Sequence, residues 1–183
     1  MSGQQLTSRE LARCGLLGAA ALLLPVLFHL VRLGHVFMPM YLPLVLLAFY
    51  VRPLPAAVTA AVVPLLSGAV TGMPPFYPPV AVFMALELAT MAALISLLAG
   101  RWPRLNRWLV LVPVLLLGRV EYLAMVWGFS RVIELPAEFL AGVSLLSGWP
   151  GLVLMVVVVP PLAGWRRRAA AVVAGPAERG RGD

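Results

Sequence analysis

Val80-Ala81-Val82-Phe83-Met84-Ala85-Leu86-Glu87-Leu88-Ala89-Thr90-Met91-Ala92-Ala93-Leu94-Ile95-Ser96-Leu97-Leu98-Ala99-Gly100 decides the fold, because 21 residues pass with a single charge, Glu87. A helix of that length rises about 30 Å, the thickness of a bilayer's hydrocarbon core. The pattern repeats outward from it, over residues 11–33, 36–51, 54–72, 107–129 and 143–165. Hydrophobic residues make up 62% of the chain, charged residues 11%, and mean hydropathy is +0.97. A water-soluble fold of 183 residues has too little interior to hide that much apolar surface. The bilayer therefore serves as solvent, and the expectation is an all-α, polytopic membrane protein with six transmembrane helices in one bundle.

Segment ends are written in proline and glycine. Pro39, Pro43 and Pro53 bound the second segment, and Gly72 and Met73-Pro74-Pro75-Phe76-Tyr77-Pro78-Pro79 end the third. Gly100 ends the fourth, and Pro150, Pro160 and Pro161 bend or end the sixth. The second segment is the short one. Its 16 residues rise only about 24 Å, so it is either a short span or a re-entrant hairpin.

Arginine placement arbitrates. The chain has 14 arginines and no lysine, for a net charge of +7. Six spans with the N-terminus in the cytoplasm put Arg9, Arg13, Arg52, Arg101, Arg104, Arg107, Arg166, Arg167, Arg168, Arg179 and Arg181 inside. Only Arg32 and Arg131 fall outside, the positive-inside asymmetry of a cell-membrane protein. Both termini are thus expected in the cytoplasm. Basic residues clustered at span ends do not form a nucleic-acid surface, so no nucleic-acid partner is expected. Trp165-Arg166-Arg167-Arg168 instead suits anionic membrane lipids. Residues 1–168 read as the membrane domain and 169–183 as a disordered basic tail, too poor in apolar residues to pack.

Several chemistries lack their residues. Cys14 is the single cysteine, so no internal disulfide forms, and its place ahead of an apolar run does not fit a lipoprotein cleavage site. Arg9 and Arg13 precede that run as in a signal peptide, but no small-x-small site follows, and a retained first helix is expected. His29 and His35 have no Cys or carboxylate cluster around them, so no metal site or other cofactor is expected. No phosphate loop, nucleophile elbow or zinc-protease motif occurs; Ser67, Thr71 and Ser96 read as back-bonded helix hydroxyls. The chain is not read as an enzyme, and any active transport would need a separate motor.

Glu87, Arg119 and Glu121 lie deep inside apolar runs, where a charge facing lipid costs several kcal/mol. Glu87 and Arg119 sit at matched depths, about 13 Å from the outer ends of their segments, and are expected to pair across the bundle. Two readings stay open: a structural ion pair, or a polar ligand site opening outward. Glu121 has no evident partner, which favours the site, and Tyr122 and Trp127 stand near it on the same segment. Met84 and Met91 flank Glu87 by a turn.

Small residues form two stripes. Ala81, Ala85, Ala89 and Ala93 recur every fourth position, and Gly15 and Ala19, with Gly18 beside them, do so in the first segment. Such faces let helix backbones approach closely in lipid, for internal packing or for docking a partner. Glu87 lies about 200° around the helix from Ala85, so the fourth helix is expected to be buried on two sides.

Gly34-His35-Val36-Phe37-Met38-Pro39-Met40-Tyr41-Leu42-Pro43, Pro64-Leu65-Leu66-Ser67, Thr71-Gly72-Met73-Pro74-Pro75 and Met84-Ala85-Leu86-Glu87-Leu88 together resemble the substrate-binding S components of energy-coupling-factor (ECF) transporters, the prokaryotic vitamin and micronutrient importers. The similarity covers about a third of the chain. It departs from the family pattern at Tyr41, where a histidine is common, and that leaves the ligand open. The resemblance implies a six-helix subunit of the cell (inner) membrane that captures a vitamin-like small molecule from outside. It also implies a transmembrane coupling subunit and an ATPase pair as partners, docked through Gly15, Gly18 and Ala19. Met73, Pro74, Pro75, Phe76 and Tyr77 would be the gating loop. The expected substrate-binding residues are Glu87, Arg119, Glu121 and Tyr122, with Tyr41 and Trp127. The rival reading is a non-transport membrane scaffold of the rod-shape-determining MreD type, in which the charges are helix glue and the stripes bind partners.

Overall fold

The computed structural model describes residues 7–30, 38–133 and 148–164, and these are all helix and connecting turn. The helices are α1 (Ser8–Leu30), α2 (Tyr41–Ala48), α3 (Pro53–Thr71), α4 (Val80–Arg101), α5 (Arg107–Ile133) and α6, described over Gly148–Gly164. Four of them, α1, α3, α4 and α5, are long and apolar enough to cross a membrane. Their outward faces carry Leu16, Leu23, Val58, Val62, Val70, Leu116 and Val120, all exposed. Water would not tolerate an apolar surface so continuous, whereas lipid makes it the favourable one. This is a membrane protein.

The second segment departs from expectation. Over the described part of 36–51, the helix is only eight residues long, about 12 Å, and cannot span a bilayer by itself. Pro53 forces Arg52 out of the helical region, to φ −65° and ψ 161°, and opens α3 as its first residue. What α2 lacks in length it has in burial: Tyr41, Leu44, Val45, Leu47 and Ala48 are all in the core. The chain reaches it through Met38, which is held at φ 45°, a left-handed conformation that a non-glycine residue adopts only under constraint.

Contacts fix the direction of every helix. The Glu10 carboxylate of α1 accepts two parallel bonds from the Arg52 guanidinium, Nε to Oε1 at 3.0 Å and Nη2 to Oε2 at 3.0 Å. That bidentate fork raises Arg52 above the ordinary guanidinium pKa. Glu10 is itself held by a reciprocal capping box with Thr7. Nearby, Arg13 Nη1 donates to the Tyr50 carbonyl at 2.7 Å, and the Tyr50 hydroxyl donates to the Leu162 carbonyl at 2.7 Å. Ser96 Oγ donates to the Val51 carbonyl at 2.6 Å, and Arg107 lies against Gly164. The starts of α1, α3 and α5 therefore meet the ends of α2, α4 and α6 at one end of the bundle. Arg9, Arg13, Arg52, Arg101, Arg104 and Arg107 all belong to it.

At the opposite end, Gly72 closes α3 with φ +75°, its amide bonded to the Gly68 carbonyl. The following loop is pinned there. Ser67 Oγ and Thr71 Oγ1 donate to the Met73 carbonyl at 2.7 and 3.1 Å, and the Ala81 amide donates to the Pro75 carbonyl. Arg32, Gly34 to Phe37 of the resembling stretch, Arg166 to Arg168 and the tail 169–183 lie outside the described residues.

The helix order can be checked with impermeant thiol labelling of single-cysteine variants on a Cys14→Ser background. Tyr77→Cys and Arg104→Cys are expected to react from opposite sides of the membrane. Labelling of both from one side would contradict the order.

Candidate functional site

Antiparallel packing of α4 on α5 builds the site. Gly118 makes the approach close: a Cβ there would stand 2.8 Å from Met91 Cγ and 3.4 Å from Glu87 Cγ. In that register Glu87 meets Arg119, Thr90 meets Glu121, and the Phe83 ring meets Tyr122 edge-on at 6.4 Å. Short α2 closes the third side by setting Tyr41 over the pair.

Glu87 is 0% exposed and Arg119 8%. Neither could be buried alone, since an unpaired charge in such a place costs several kcal/mol. Glu87 Oε2 accepts the Tyr41 hydroxyl at 2.5 Å, the length of a charge-assisted bond. Glu87 Oε1 lies 2.7 Å from Arg119 Nη2. That second contact is an ion pair at hydrogen-bond distance, and among the described residues Arg119 Nε has no partner. A guanidinium has five N–H donors, more than this one carboxylate oxygen can take up. Its charge is further sheltered by the rings of Tyr41 and Tyr122, 5.1 and 5.9 Å from its centre. Cation–π contacts of this kind contribute about 0.5–2 kcal/mol each.

The structure thus brings together four of the six expected substrate-binding residues, Tyr41, Glu87, Arg119 and Tyr122. Glu121 is next to them but not without a partner, contrary to expectation: it accepts the Thr90 hydroxyl at 3.0 Å. Trp127 is not in the cluster. It is 59% exposed on the outside of α5, where Arg131 lies over its ring at 4.9 Å. Among the residues expected to form a gating loop, Tyr77 is 76% exposed, and the Phe76 ring packs beside Gly68, 3.0 Å from where a Cβ would be. Met73 and Pro75 anchor the loop to the helices on either side of it.

The small residues of α1 divide between two roles. Gly18 is buried against Thr59 and Val63 of α3, so it serves internal packing. Gly15 and Ala19 face outward, and a Cβ at Gly15 would meet nothing. On α4, Ala81 and Ala85 are buried, as Glu87 is, which puts two faces of that helix inside the bundle.

Two neighbours of the site escape sequence reasoning. Gly148 lies against both Met38 and Arg119: a Cβ there would stand 3.2 Å from Met38 Sδ and 3.9 Å from Arg119 Nη1. Neither residue type announces such a role. Among the described residues no group of three or more His, Cys, Asp or Glu could hold a metal ion. Comparisons with protein-family models, with curated proteins and with solved structures find no match to this chain.

If Glu87 and Arg119 depend on one another, their substitutions are non-additive. Glu87→Leu and Arg119→Met are each expected to destabilise the detergent-solubilised protein by about 3–5 kcal/mol, and the double variant by less than either. Additive losses in reversible unfolding would show that the two charges act separately.

Proposed function

We propose that the chain is the substrate-capture subunit of an ECF-type importer. In this reading it crosses a prokaryotic cell membrane six times, with both termini in the cytoplasm and the arginine-rich end inside. It binds a vitamin-like small molecule from the outside and passes it to a transmembrane coupling subunit driven by an ATPase pair. Gly15 and Ala19 face outward from α1 as a docking face requires, and the loop from Met73 to Tyr77 gates the site.

One observation carries the reading: Arg119 is buried beside two tyrosine rings, and among the described residues its Nε has no hydrogen-bond partner. Buried donors left without acceptors are costly, and a ligand carboxylate or carbonyl would remove that cost. The flanking rings of Tyr41 and Tyr122 favour a planar, aromatic ligand body. Glu87 and Glu121 would accept from a ring N–H or amine of the same molecule.

The complete burial of Glu87, already bonded to Tyr41 and paired with Arg119, supports a second reading. There the cluster is a latch joining α2, α4 and α5, and the protein is a non-transport scaffold of the MreD type.

Mass spectrometry of the purified chain separates the two. A co-purified small molecule is expected, lost with Arg119→Gln and retained with Trp127→Ala. Absence of any bound molecule, with cell-wall assembly proteins co-purifying in place of a coupling subunit and ATPases, would favour the scaffold.

A further inference from the structure

The arginine-rich end holds a second built feature, remote in sequence from the Glu87 cluster. A cleft of about 330 Å³ opens there, lined by Arg13 of α1, Tyr50 after α2, Trp102 after α4, Arg107 of α5 and Ala163 of α6, with Phe49 beside Tyr50. Two guanidinium groups from different helices border it, and among the described residues no carboxylate does. Glu10, the acidic residue at this end among the described ones, is engaged by Arg52. Arg9, Arg13, Arg52, Arg101, Arg104 and Arg107 thus stand against one carboxylate.

Both cleft arginines are positioned. Arg13 is tied through Nη1 to the Tyr50 carbonyl at 2.7 Å, which leaves its remaining N–H groups directed elsewhere. The Arg107 guanidinium lies in the space left by the missing side chain of Gly164, with Nη1 2.9 Å from where a Cβ would be. Phe49, Val110 and Ala163 give the cleft apolar walls, and Trp102 stands half-exposed at its rim, as tryptophans do at headgroup level.

We infer that this cleft binds the phosphate of an anionic phospholipid, held between Arg13 and Arg107, with its glycerol backbone against the apolar walls. A phosphate offers several acceptor oxygens to two guanidinium forks, and the volume suits a headgroup. Basic pockets between membrane helices bind such headgroups where the leaflet is anionic. A free phosphate ester shares the charge chemistry but has nothing to place on Phe49 and Val110. The inference does not depend on the transport reading.

The test uses the full chain, delipidated in detergent and equilibrated with equal mole fractions of phosphatidylglycerol and phosphatidylcholine, with bound lipid counted by native mass spectrometry. Preferential retention of phosphatidylglycerol is expected. Arg13→Gln with Arg107→Gln should reduce that preference about tenfold or more, while Arg101→Gln with Arg104→Gln, the same charge change outside the cleft, leaves most of it. Gly164→Ala is expected to lower it without altering net charge, because the new methyl displaces the Arg107 guanidinium. Equal losses in the two double variants would overturn the inference by showing a diffuse charge effect. Complete displacement of the lipid by millimolar inorganic phosphate would overturn the assignment to a lipid.

Discussion

A carboxylate with no exposure to solvent, in a bundle whose outside is lipid, is the constraint to which the rest of this structure answers. Glu87 can be there only because Tyr41 and Arg119 reach it from two other helices. Each of those residues in turn dictates backbone. Tyr41 requires the chain to deliver α2 into the core instead of along the lipid face. Arg119 requires α5 to lie within side-chain reach of α4, which Gly118 permits by offering no Cβ to Met91. The polar centre and the close packing around it are one design.

The two ends of the bundle use charge differently. At one end arginines outnumber carboxylates, and the Glu10–Arg52 fork ties the start of α1 to the start of α3. That tie requires the chain between α1 and α3 to return the full height of α1, although α2 supplies only eight helical residues of the distance. At the other end, prolines, Gly72 and helix hydroxyls hold the connection between α3 and α4 with backbone hydrogen bonds. A charge-rich end and a charge-poor end are what a protein oriented by positive charge needs.

Much of this is legible in the sequence because apolar length and arginine bias report directly on the solvent each segment meets. The long helices fall where the apolar runs fall, and the Glu87–Arg119 pairing follows from matched depth alone. The short helix is a different matter: residues 36–51 are apolar enough to span, and only the backbone restriction around Pro53 and the burial of Tyr41 make it a core element. Trp127 shows the limit of reasoning by proximity in sequence, since a helix turns it about 80° from Arg119 and onto the lipid side. Glu121 was legible as a charge but not as a partner of Thr90, because a threonine in an apolar run gives no sign of which neighbour it faces. Thr7-Ser8-Arg9-Glu10 carries a readable capping box, whereas the second role of Glu10, holding Arg52, depends on tertiary structure. The approach of Gly148 to Arg119 and Met38 has no sequence signature.

The most direct measurement is solid-state nuclear magnetic resonance on the protein in bilayers, with carbon-13 in the glutamate carboxyls and nitrogen-15 in the arginine guanidiniums. The signal assigned to Glu87 should show dipolar coupling to Arg119 nitrogen, corresponding to contact within about 4 Å, and should lose it in Arg119→Gln. A Glu87 carboxyl without that coupling, in folded protein, would contradict the account of how this bundle is held together.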